Sequence, residues 1–492
     1  ATPDQVFAAM RAAREAQALW GARSIQDRLG ALQRLSAILL ENGDRIAAAI
    51  TRSTGKPIVE SYLSEWTPIL GLTDYYVRNA ARILQPERRK LGMLWQWPKR
   101  SSVIHYQPIG VVAVISPWNY PFCIPMGDII TALAAGCAVL LKPSEKTPAV
   151  GQLIAKLCQE ADLPVWVLQG GGDVGAALID AKPDKLIFTG GPETGARVME
   201  AAAKHLIPVV MELGGKDPML VLKDAHIENA ASAAVWGCFT NSGQVCASVK
   251  RIYVDEKIAD AFIARVLEKV QALRIGDPMD PATEIGSLID AEQASGIEAQ
   301  VQRALNEGAR LAIGGKRPQG MSDAYFAPTV LTDVSQQMSI VQEEVFGPIL
   351  PIIRCRDEGQ MLAHANDSAF GLCASVFGQA RIQELAAQLR VGTVILNDCT
   401  YTHGIAETPW GGRGRSGFGR IHGEEGLREC VTPLHIHRNH APQRRSLWWF
   451  PYDAGLVALA KGAALLQAGK NPLQALGKLQ AAGVLGRIRT MR

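Results

Sequence analysis

Short apolar runs alternate with helical patterns between residues 109 and 212 and define the architecture of this part of the chain. Strands with apolar side chains on both faces belong to a parallel sheet that is covered by helices on both sides. The pattern therefore predicts a doubly wound α/β domain, whose ligands bind beyond the carboxyl ends of the strands. The predicted strands are residues 111–115, 138–141, 165–168, 185–188 and 208–211.

The flanking segments extend this picture. Apolar side chains at helical spacing over residues 1–90 predict a helical layer. Residues 215–429 again alternate strand and helix patterns, which predicts a second α/β domain. Residues 91–108 differ, because they are β-prone side chains interrupted by Pro98 and predict a strand. We expect an α/β protein with two such domains and a small β element.

Composition limits the functions to be considered. A net charge of +4 over 492 residues is too small to predict nucleic-acid binding. The nine cysteines form no CxxC pair and no Cys/His cluster at metal-ligand spacing, so we expect reduced thiols, a cytoplasmic protein and no metal. Residues 1–20 are charged and amphipathic, which does not predict a signal peptide.

Two residues stand in contexts suited to covalent catalysis. Glu212 ends the apolar run 208–211, and Cys246 follows the polar residues 241–244. A thiolate that attacks a carbonyl and a carboxylate that later activates water suffice for acylation followed by hydrolysis. Four other cysteines lie in apolar or helical contexts and are predicted to be inert: Cys137, Cys158, Cys373 and Cys430.

The stretches MELGGKDP, at residues 211–218, and FTNSGQVC, at residues 239–246, resemble the glutamate and cysteine signatures of the aldehyde dehydrogenase superfamily. The resemblance runs to about residue 440. It implies that Cys246 is the nucleophile and that Glu212 activates water, as in the hydrolytic, non-acylating members. It also implies that Asn119 and the Cys246 N–H form an oxyanion hole. By itself, an asparagine between two prolines is more often a turn residue.

The resemblance further implies a nicotinamide cofactor. Lys142 and Glu145 would hold the adenosine ribose, and Glu145 favours NAD over NADP without excluding either. Without the resemblance, Lys142 and Glu145 would be interpreted as a surface ion pair. A glycine turn before a helix would approach the pyrophosphate, although Gly191 and Pro192 replace the usual Ser-Thr pair. The other expected cofactor residues are Ser116, Trp118, Gly190, Gly195, Glu344 and Phe346.

The sequence indicates less about the substrate than about the cofactor. Tyr120 and Gly127 are expected at the substrate passage, and Gly127 falls where many members carry a large side chain. A wider passage would suit a long or bulky apolar aldehyde, such as a fatty or isoprenoid-derived one, although a glycine in a helix is more often explained by packing. Two alternatives stay open: an acyl-transferring or reductive enzyme of the same fold, and a catalytically silent scaffold.

The resemblance also divides the chain. We expect a dinucleotide-binding domain at residues 1–90 and 109–214, a catalytic domain at 215–429, bridging strands at 91–108 and 430–442, and a tail at 443–492. The bridging strands, and the short N-terminal region, resemble the dimeric class 3 or fatty-aldehyde branch and imply a homodimer.

The tail has no acidic residue after Asp453, and Lys461 interrupts its longest apolar run, so no spanning helix is expected. Either it closes the substrate tunnel or packs on a partner subunit, or it lies on an anionic membrane. Its predicted apolar stripe is Leu473, Leu476, Leu479, Val484, Leu485 and Ile488.

Overall fold

The computed structural model describes residues 1–92, 95, 99–441, 449–469 and 471–483. The chain forms two compact units. The larger comprises Ala1–Leu84 and Gln107–Thr432, and the smaller comprises Gln85–Tyr106 and Pro433–Arg492. Val484, Leu485 and Ile488 of the predicted stripe lie outside the described residues, as does Pro98.

The first sheet of the larger unit confirms the predicted parallel strands. It contains β3 (Val111–Ile115), β4 (Ala138–Lys142), β5 (Val165–Val167), β6 (Lys185–Thr189) and β7 (Val209–Glu212). The strand order is β17-β7-β6-β3-β4-β5. The sixth strand, β17 (Gly417–Phe418), was not predicted and pairs antiparallel with β7, placing Gly417 opposite Glu212.

Helices cover this sheet because their apolar faces need partners. The helix Cys123–Ala135 is apolar almost all round, and all its residues are buried. It ends at Gly136, whose φ of 99° gives a left-handed cap. The other helices of this part are Pro3–Ala22, Ile25–Glu41, Gly43–Thr54, Ile58–Ser61, the π-helix Tyr62–Trp66, Thr67–Ile83, Pro148–Glu160, Gly172–Asp180 and Pro192–Ala203.

The second sheet has seven strands in the order β10-β11-β12-β9-β8-β14-β15. All neighbours are parallel except β10 and β11, which are antiparallel. Its strands are β8 (Asp217–Val221), β9 (Val249–Asp255), β10 (Arg310–Ile313), β11 (Thr329–Thr332), β12 (Ile349–Cys355), β14 (Cys373–Phe377) and β15 (Thr393–Leu396). The helices of this part are Ile227–Phe239, Ala259–Gln271, Ala291–Asn306, Ser339–Gln342, Glu358–Asn366 and Ile382–Ala386. The helix Gly423–Glu429 packs instead on the helices Thr67–Ile83 and Cys123–Ala135. A two-stranded sheet consists of β13 (Phe370–Gly371) and β16 (Arg413–Gly414).

The smaller unit holds most of a three-stranded sheet, β1 (Glu87–Arg89), β2 (Arg100–Pro108) and β18 (Val431–Asn439), in that order. Two further helices, Ala454–Gln467 and Pro472–Ala481, pack against each other. A Cβ atom at Gly462 would lie 3.0 Å from the Leu479 side chain, so glycine lets the helices approach closely. No helix in the described part of the chain is both long and apolar enough to span a membrane.

Candidate active site

Cys246 follows a turn in which three consecutive residues have left-handed backbone conformations. The φ angles are 50° at Asn241, 53° at Ser242 and 75° at Gly243. Such angles are strained for residues that carry a side chain. At Gly243 a Cβ atom would lie 2.3 Å from the backbone of Gly347, so only glycine fits there. The strained turn thus fixes the direction in which the chain presents Cys246.

Cys246 is also the accessible cysteine of the chain. It is half-buried, whereas the other cysteines are buried. It lines two cavities, of about 280 Å³ and about 430 Å³. Burial raises the pKa of the Cys246 thiol to about 12, and the Lys250 ammonium opposes that rise. The resting thiol is therefore protonated at neutral pH and must lose its proton in order to react.

Asn119 is buried beside the cysteine loop and is hydrogen-bonded to it in both directions. Its Nδ2 donates to the backbone oxygen of Gln244 at 3.0 Å, and its backbone oxygen accepts from Asn241 Nδ2 at 3.1 Å. A carboxamide nitrogen carries two hydrogens, so Asn119 keeps a second donor. The structure therefore brings Asn119 and the Cys246 loop together, as predicted.

Glu212 ends β7 and is buried at the edge of the smaller of the two cavities, which Cys246 also lines. Its Oε1 has no hydrogen-bond partner among the described residues. Burial raises the pKa of Glu212 well above its usual range, and the Asp128 carboxylate adds to the rise. A Cβ atom at Gly411 would lie 2.9 Å from Glu212 Oε1, so this glycine gives the carboxyl group room. Glu212 thus has one carboxyl oxygen without a partner, on the wall of the cavity that the thiol also lines.

The 280 Å³ cavity lies where the parallel strands β3, β6 and β7 end. The Trp118 and Phe346 rings meet edge to face at 5.5 Å across it. Glu344 is fixed by Lys250 Nζ at 2.7 Å and by the Gly215 N–H at 3.1 Å. An aromatic cleft at the carboxyl ends of a parallel sheet suits a dinucleotide.

The predicted cofactor residues divide into two groups. Trp118, Gly190, Gly191, Glu344 and Phe346 line this cleft. Four others do not line it: Ser116, Lys142, Glu145 and Gly195.

These four residues have different surroundings. A Cβ atom at Gly195 would lie 2.6 Å from the Leu213 side chain, so this glycine serves helix packing. Lys142 Nζ contacts Glu145 at 2.7 Å just after β4. The buried Ser116 Oγ finds no partner within the described chain.

The cleft fits a dinucleotide on this evidence. Gly190 and Gly191 precede the helix Pro192–Ala203, whose free N–H groups suit a phosphate. The orphaned Ser116 hydroxyl ends the neighbouring strand, where a ligand group would be expected. In the part of the chain that the structure describes, no cluster of three or more His, Cys, Asp or Glu is placed to hold a metal.

The 430 Å³ cavity opens on the other side of Cys246. Among its described lining residues none is Asp, Glu, Lys or Arg. Burial lowers the pKa of His403 to about 4, so this side chain is neutral at pH 7. The cavity wall is therefore uncharged. Its aromatic side chains are Tyr120, Trp236, Tyr401, His403 and Trp410.

Gly127 does not line this cavity, which corrects its predicted place at the substrate passage. It lies inside the helix Cys123–Ala135, where a Cβ atom would be 3.3 Å from His422 Nε2 and 3.5 Å from the Leu72 side chain. The glycine therefore accommodates core neighbours. Tyr120, by contrast, lies on the cavity wall as predicted.

Sequence reasoning missed most of the aromatic wall. Trp236 belongs to the helix Ile227–Phe239, and Tyr401 and His403 belong to a short 3₁₀ turn. None of these positions follows a predicted strand end. Trp236 is an exposed aromatic on an otherwise small-residue helix, which is the one local signal available. Gln293, which lines the cofactor cleft and donates to the Phe346 backbone at 2.8 Å, has no such signal.

A thiol shared by a cleft that suits a dinucleotide and by a second, uncharged cavity is an arrangement typical of an oxidoreductase. Comparison with known proteins gives the family. Residues 1–436 match the model of the aldehyde dehydrogenase family. The chain belongs to this family and is an NAD(P)-dependent enzyme.

Three relatives illustrate the match. The 4,4'-diapolycopene aldehyde oxidase of Methylomonas sp is 42% identical over 477 residues, which cover 94% of this chain and 88% of that protein. Betaine aldehyde dehydrogenase of Staphylococcus aureus, solved in complex with NAD+, superposes with a TM-score of 0.86 at 34% identity, covering 92% of this chain and 90% of that one. An NADP dependent enzyme of E. coli superposes with a TM-score of 0.84 at 31% identity, covering 89% of this chain and 90% of that one. The α/β fold predicted above is thereby confirmed.

Proposed function

We propose that this enzyme oxidises a long, apolar aldehyde of the isoprenoid type to its carboxylic acid, with NAD as the preferred cofactor. The observation that carries the proposal is the position of Cys246. Its thiol stands between a cleft that fits a dinucleotide and an uncharged aromatic cavity. A carbonyl carbon bound at the thiol can thus face both a hydride acceptor and a long apolar pocket.

The residues act in a definite order. Cys246 Sγ attacks the aldehyde carbon while its proton passes to the Glu212 carboxylate, which releases that proton to solvent before the hydrolytic step. Asn119 Nδ2 and the Cys246 N–H donate to the resulting oxyanion. The bound nicotinamide supplies the hydride acceptor, which leaves a thioester on Cys246. Glu212 then takes a proton from water, whose oxygen attacks the thioester, releasing the acid and the free thiol.

The substrate class is inferred from the wall of the larger cavity. Without a charged side chain, it offers no partner to a carboxylate such as that of a semialdehyde acid. Its volume of about 430 Å³ and its five aromatic side chains suit an extended apolar chain. The name of the Methylomonas relative, a diapolycopene aldehyde oxidase, supports the isoprenoid type.

The cofactor preference is inferred from Glu145. Its carboxylate stands just beyond β4, held by Lys142 at 2.7 Å. A carboxylate at the adenosine ribose accepts hydrogen bonds from the hydroxyls and repels an added phosphate. This supports NAD over NADP.

Three further features belong to this proposal. We place the enzyme in the cytoplasm, because all nine cysteines are free thiols. We propose a homodimer that forms through β18, and contact of the tail helices with an anionic membrane surface.

A steady-state assay of reduced cofactor and acid product tests the proposal. We expect kcat/KM with NAD to rise from short to long apolar aldehydes, and to be lower with NADP. Betaine aldehyde belongs in the panel, because aromatic faces also attract a quaternary ammonium group. Cys246→Ala should bind cofactor and turn over nothing.

Other results would contradict the proposal in distinct ways. An acyl-coenzyme A thioester as the product, formed only when coenzyme A is present, would indicate an acyl-transferring enzyme. Consumption of reduced cofactor with an activated acyl group would indicate a reductase. Preference for betaine aldehyde would overturn the apolar substrate class.

A further inference from the structure

Residues 56–66 lie behind both loops of the proposed oxyanion hole. Lys56 and Glu65 are fully buried and form an ion pair. The backbone between them is the short α-helix Ile58–Ser61 continued by the π-helix Tyr62–Trp66. A π-helical turn is wider than an α-turn and is frequent at functional sites. Two carboxylates on this segment, Glu60 and Glu65, contact different loops.

Glu65 holds the loop that carries Asn119. Its Oε2 accepts from the N–H groups of Phe122 and Cys123 at 2.9 and 3.1 Å. These are free N–H groups at the start of the helix Cys123–Ala135, where a carboxylate is the preferred partner. The partner cation, Lys56, lies 3.7 Å above the centre of the Tyr120 ring. The pair thereby fixes the residues that directly follow Asn119.

Glu60 holds the loop that carries Cys246. Its Oε1 accepts from Thr240 Oγ1 at 3.0 Å, and its Oε2 accepts from the Asn241 N–H at 2.7 Å. Asn241 is the first left-handed residue of the strained turn. Burial raises the pKa of Glu60 to about 7. A hydrogen-bond acceptor held at this N–H opposes relaxation of the turn.

We propose that Glu60 and Glu65 are positioning residues that together set the separation of the two oxyanion donors, the Asn119 amide and the Cys246 N–H. One short segment anchors both loops, and the two loops are also hydrogen-bonded to each other through Asn119 and Asn241. An oxyanion hole works only if both donors point at one oxygen, so a common anchor is physically useful. This inference rests on the proposed function, since it assumes that Cys246 acylates.

Two reactions of the same thiol separate this role from a merely structural one. Attack on an activated ester, such as a nitrophenyl ester, creates an oxyanion and needs no cofactor. Alkylation by iodoacetamide uses the same thiolate without an oxyanion. Positioning of the donors therefore affects the first reaction and spares the second.

The principal variant is Glu60→Gln, which keeps the side-chain size but offers one carbonyl oxygen to two donors. We expect its burst rate with the ester to fall about tenfold to a hundredfold. Its alkylation rate should stay within about twofold of wild type. The matched control is Glu41→Gln, an exposed glutamate outside the segment, with both rates unchanged.

An unchanged ester rate in folded Glu60→Gln would overturn the role of Glu60. An equal fall in both rates would also overturn it, because the thiol itself would then be disturbed.

Glu65→Gln alone would leave Lys56 buried without a charged partner and could unfold the protein. The double variant Lys56→Met/Glu65→Gln removes both charges and keeps an amide oxygen near Phe122. We expect the same selective loss of the ester reaction, and a wild-type ester rate would overturn the role of Glu65. A wild-type enzyme that reacts with the ester but oxidises no aldehyde would instead contradict the proposed function.

Discussion

At the scale of single residues, burial opposes ionisation of Cys246 and of Glu212. It raises the pKa of Cys246 to about 12 and the pKa of Glu212 well above its usual range. A protonated thiol is a poor nucleophile, so Cys246 is unreactive at rest. The Lys250 ammonium, which opposes the rise at Cys246, is partly neutralised by Glu344 at 2.7 Å. We infer that arrival of substrate and cofactor changes this balance.

Glu212→Gln tests the hydrolytic role. Glutamine cannot take a proton from water, so the thioester should accumulate on Cys246. We expect a burst of about one reduced cofactor per active site, followed by steady-state turnover lowered by at least about 10²-fold. Rapid-mixing absorbance and mass spectrometry of the acyl-enzyme would measure both.

Hydroxylamine provides the control for this variant. It attacks thioesters without a general base, so it should restore turnover in Glu212→Gln and should not do so in Cys246→Ala. Full steady-state activity of Glu212→Gln without hydroxylamine would remove Glu212 from the hydrolytic step.

At the scale of secondary-structure elements, the tail helices combine exposed apolar side chains with positive charge. Leu473 is 82% and Leu476 57% exposed on the helix Pro472–Ala481. Trp449, Phe450 and Tyr452 before the first tail helix are exposed as well. Because no acidic residue follows Asp453, this surface suits an anionic bilayer.

Substitution of this apolar face tests the membrane proposal. We expect Leu473→Asp/Leu476→Asp to lower co-sedimentation with phosphatidylserine vesicles severalfold, because it removes apolar contacts and adds negative charge. The control Gln474→Asp/Gln480→Asp adds the same charge at exposed polar positions. Equal vesicle binding by the two variants would show that the apolar face is dispensable. Unchanged binding after deletion of residues 454–492 would rule out a role of the tail in membrane binding.

At the scale of the whole molecule, β18 is an edge strand with an exposed apolar face. It ends the order β1-β2-β18, and Leu434 and Ile436 on it are 40% and 46% exposed. A long open edge with apolar side chains invites pairing with another chain. A second copy of the chain is the partner that we propose.

Leu434→Lys/Ile436→Lys should shift the protein from dimer toward monomer, measured by light scattering after size exclusion. Lysine on an edge strand opposes both apolar contact and strand pairing. His435→Lys, on the opposite face of the strand, is the matched control and should remain dimeric if side-chain packing drives association. A wild-type monomer would refute the dimer.

The sequence alone predicted the parallel strands β3 to β7 and singled out the thiol and the acid that the structure places on one cavity. Continuous apolar runs and their ends are local signals, and the polar context of Cys246 is local as well. The antiparallel strand β17 could not be predicted in this way. Two residues in a glycine-rich stretch carry no periodicity, and their pairing with β7 depends on a contact between residues about two hundred positions apart.

The groups that can carry out the chemistry are thus supplied by short stretches of sequence, because the thiol, the acid and the glycine turn are each recognised from their immediate neighbours. Their pKa values depend on burial, which the tertiary structure decides. The shape of the site was decided by the tertiary structure. The aromatic wall, the core contacts around Gly127 and the contacts of the buried Lys56–Glu65 ion pair with residues 120–123 each involve segments that are far apart in the chain. Such contacts follow from packing in three dimensions, which no local pattern records.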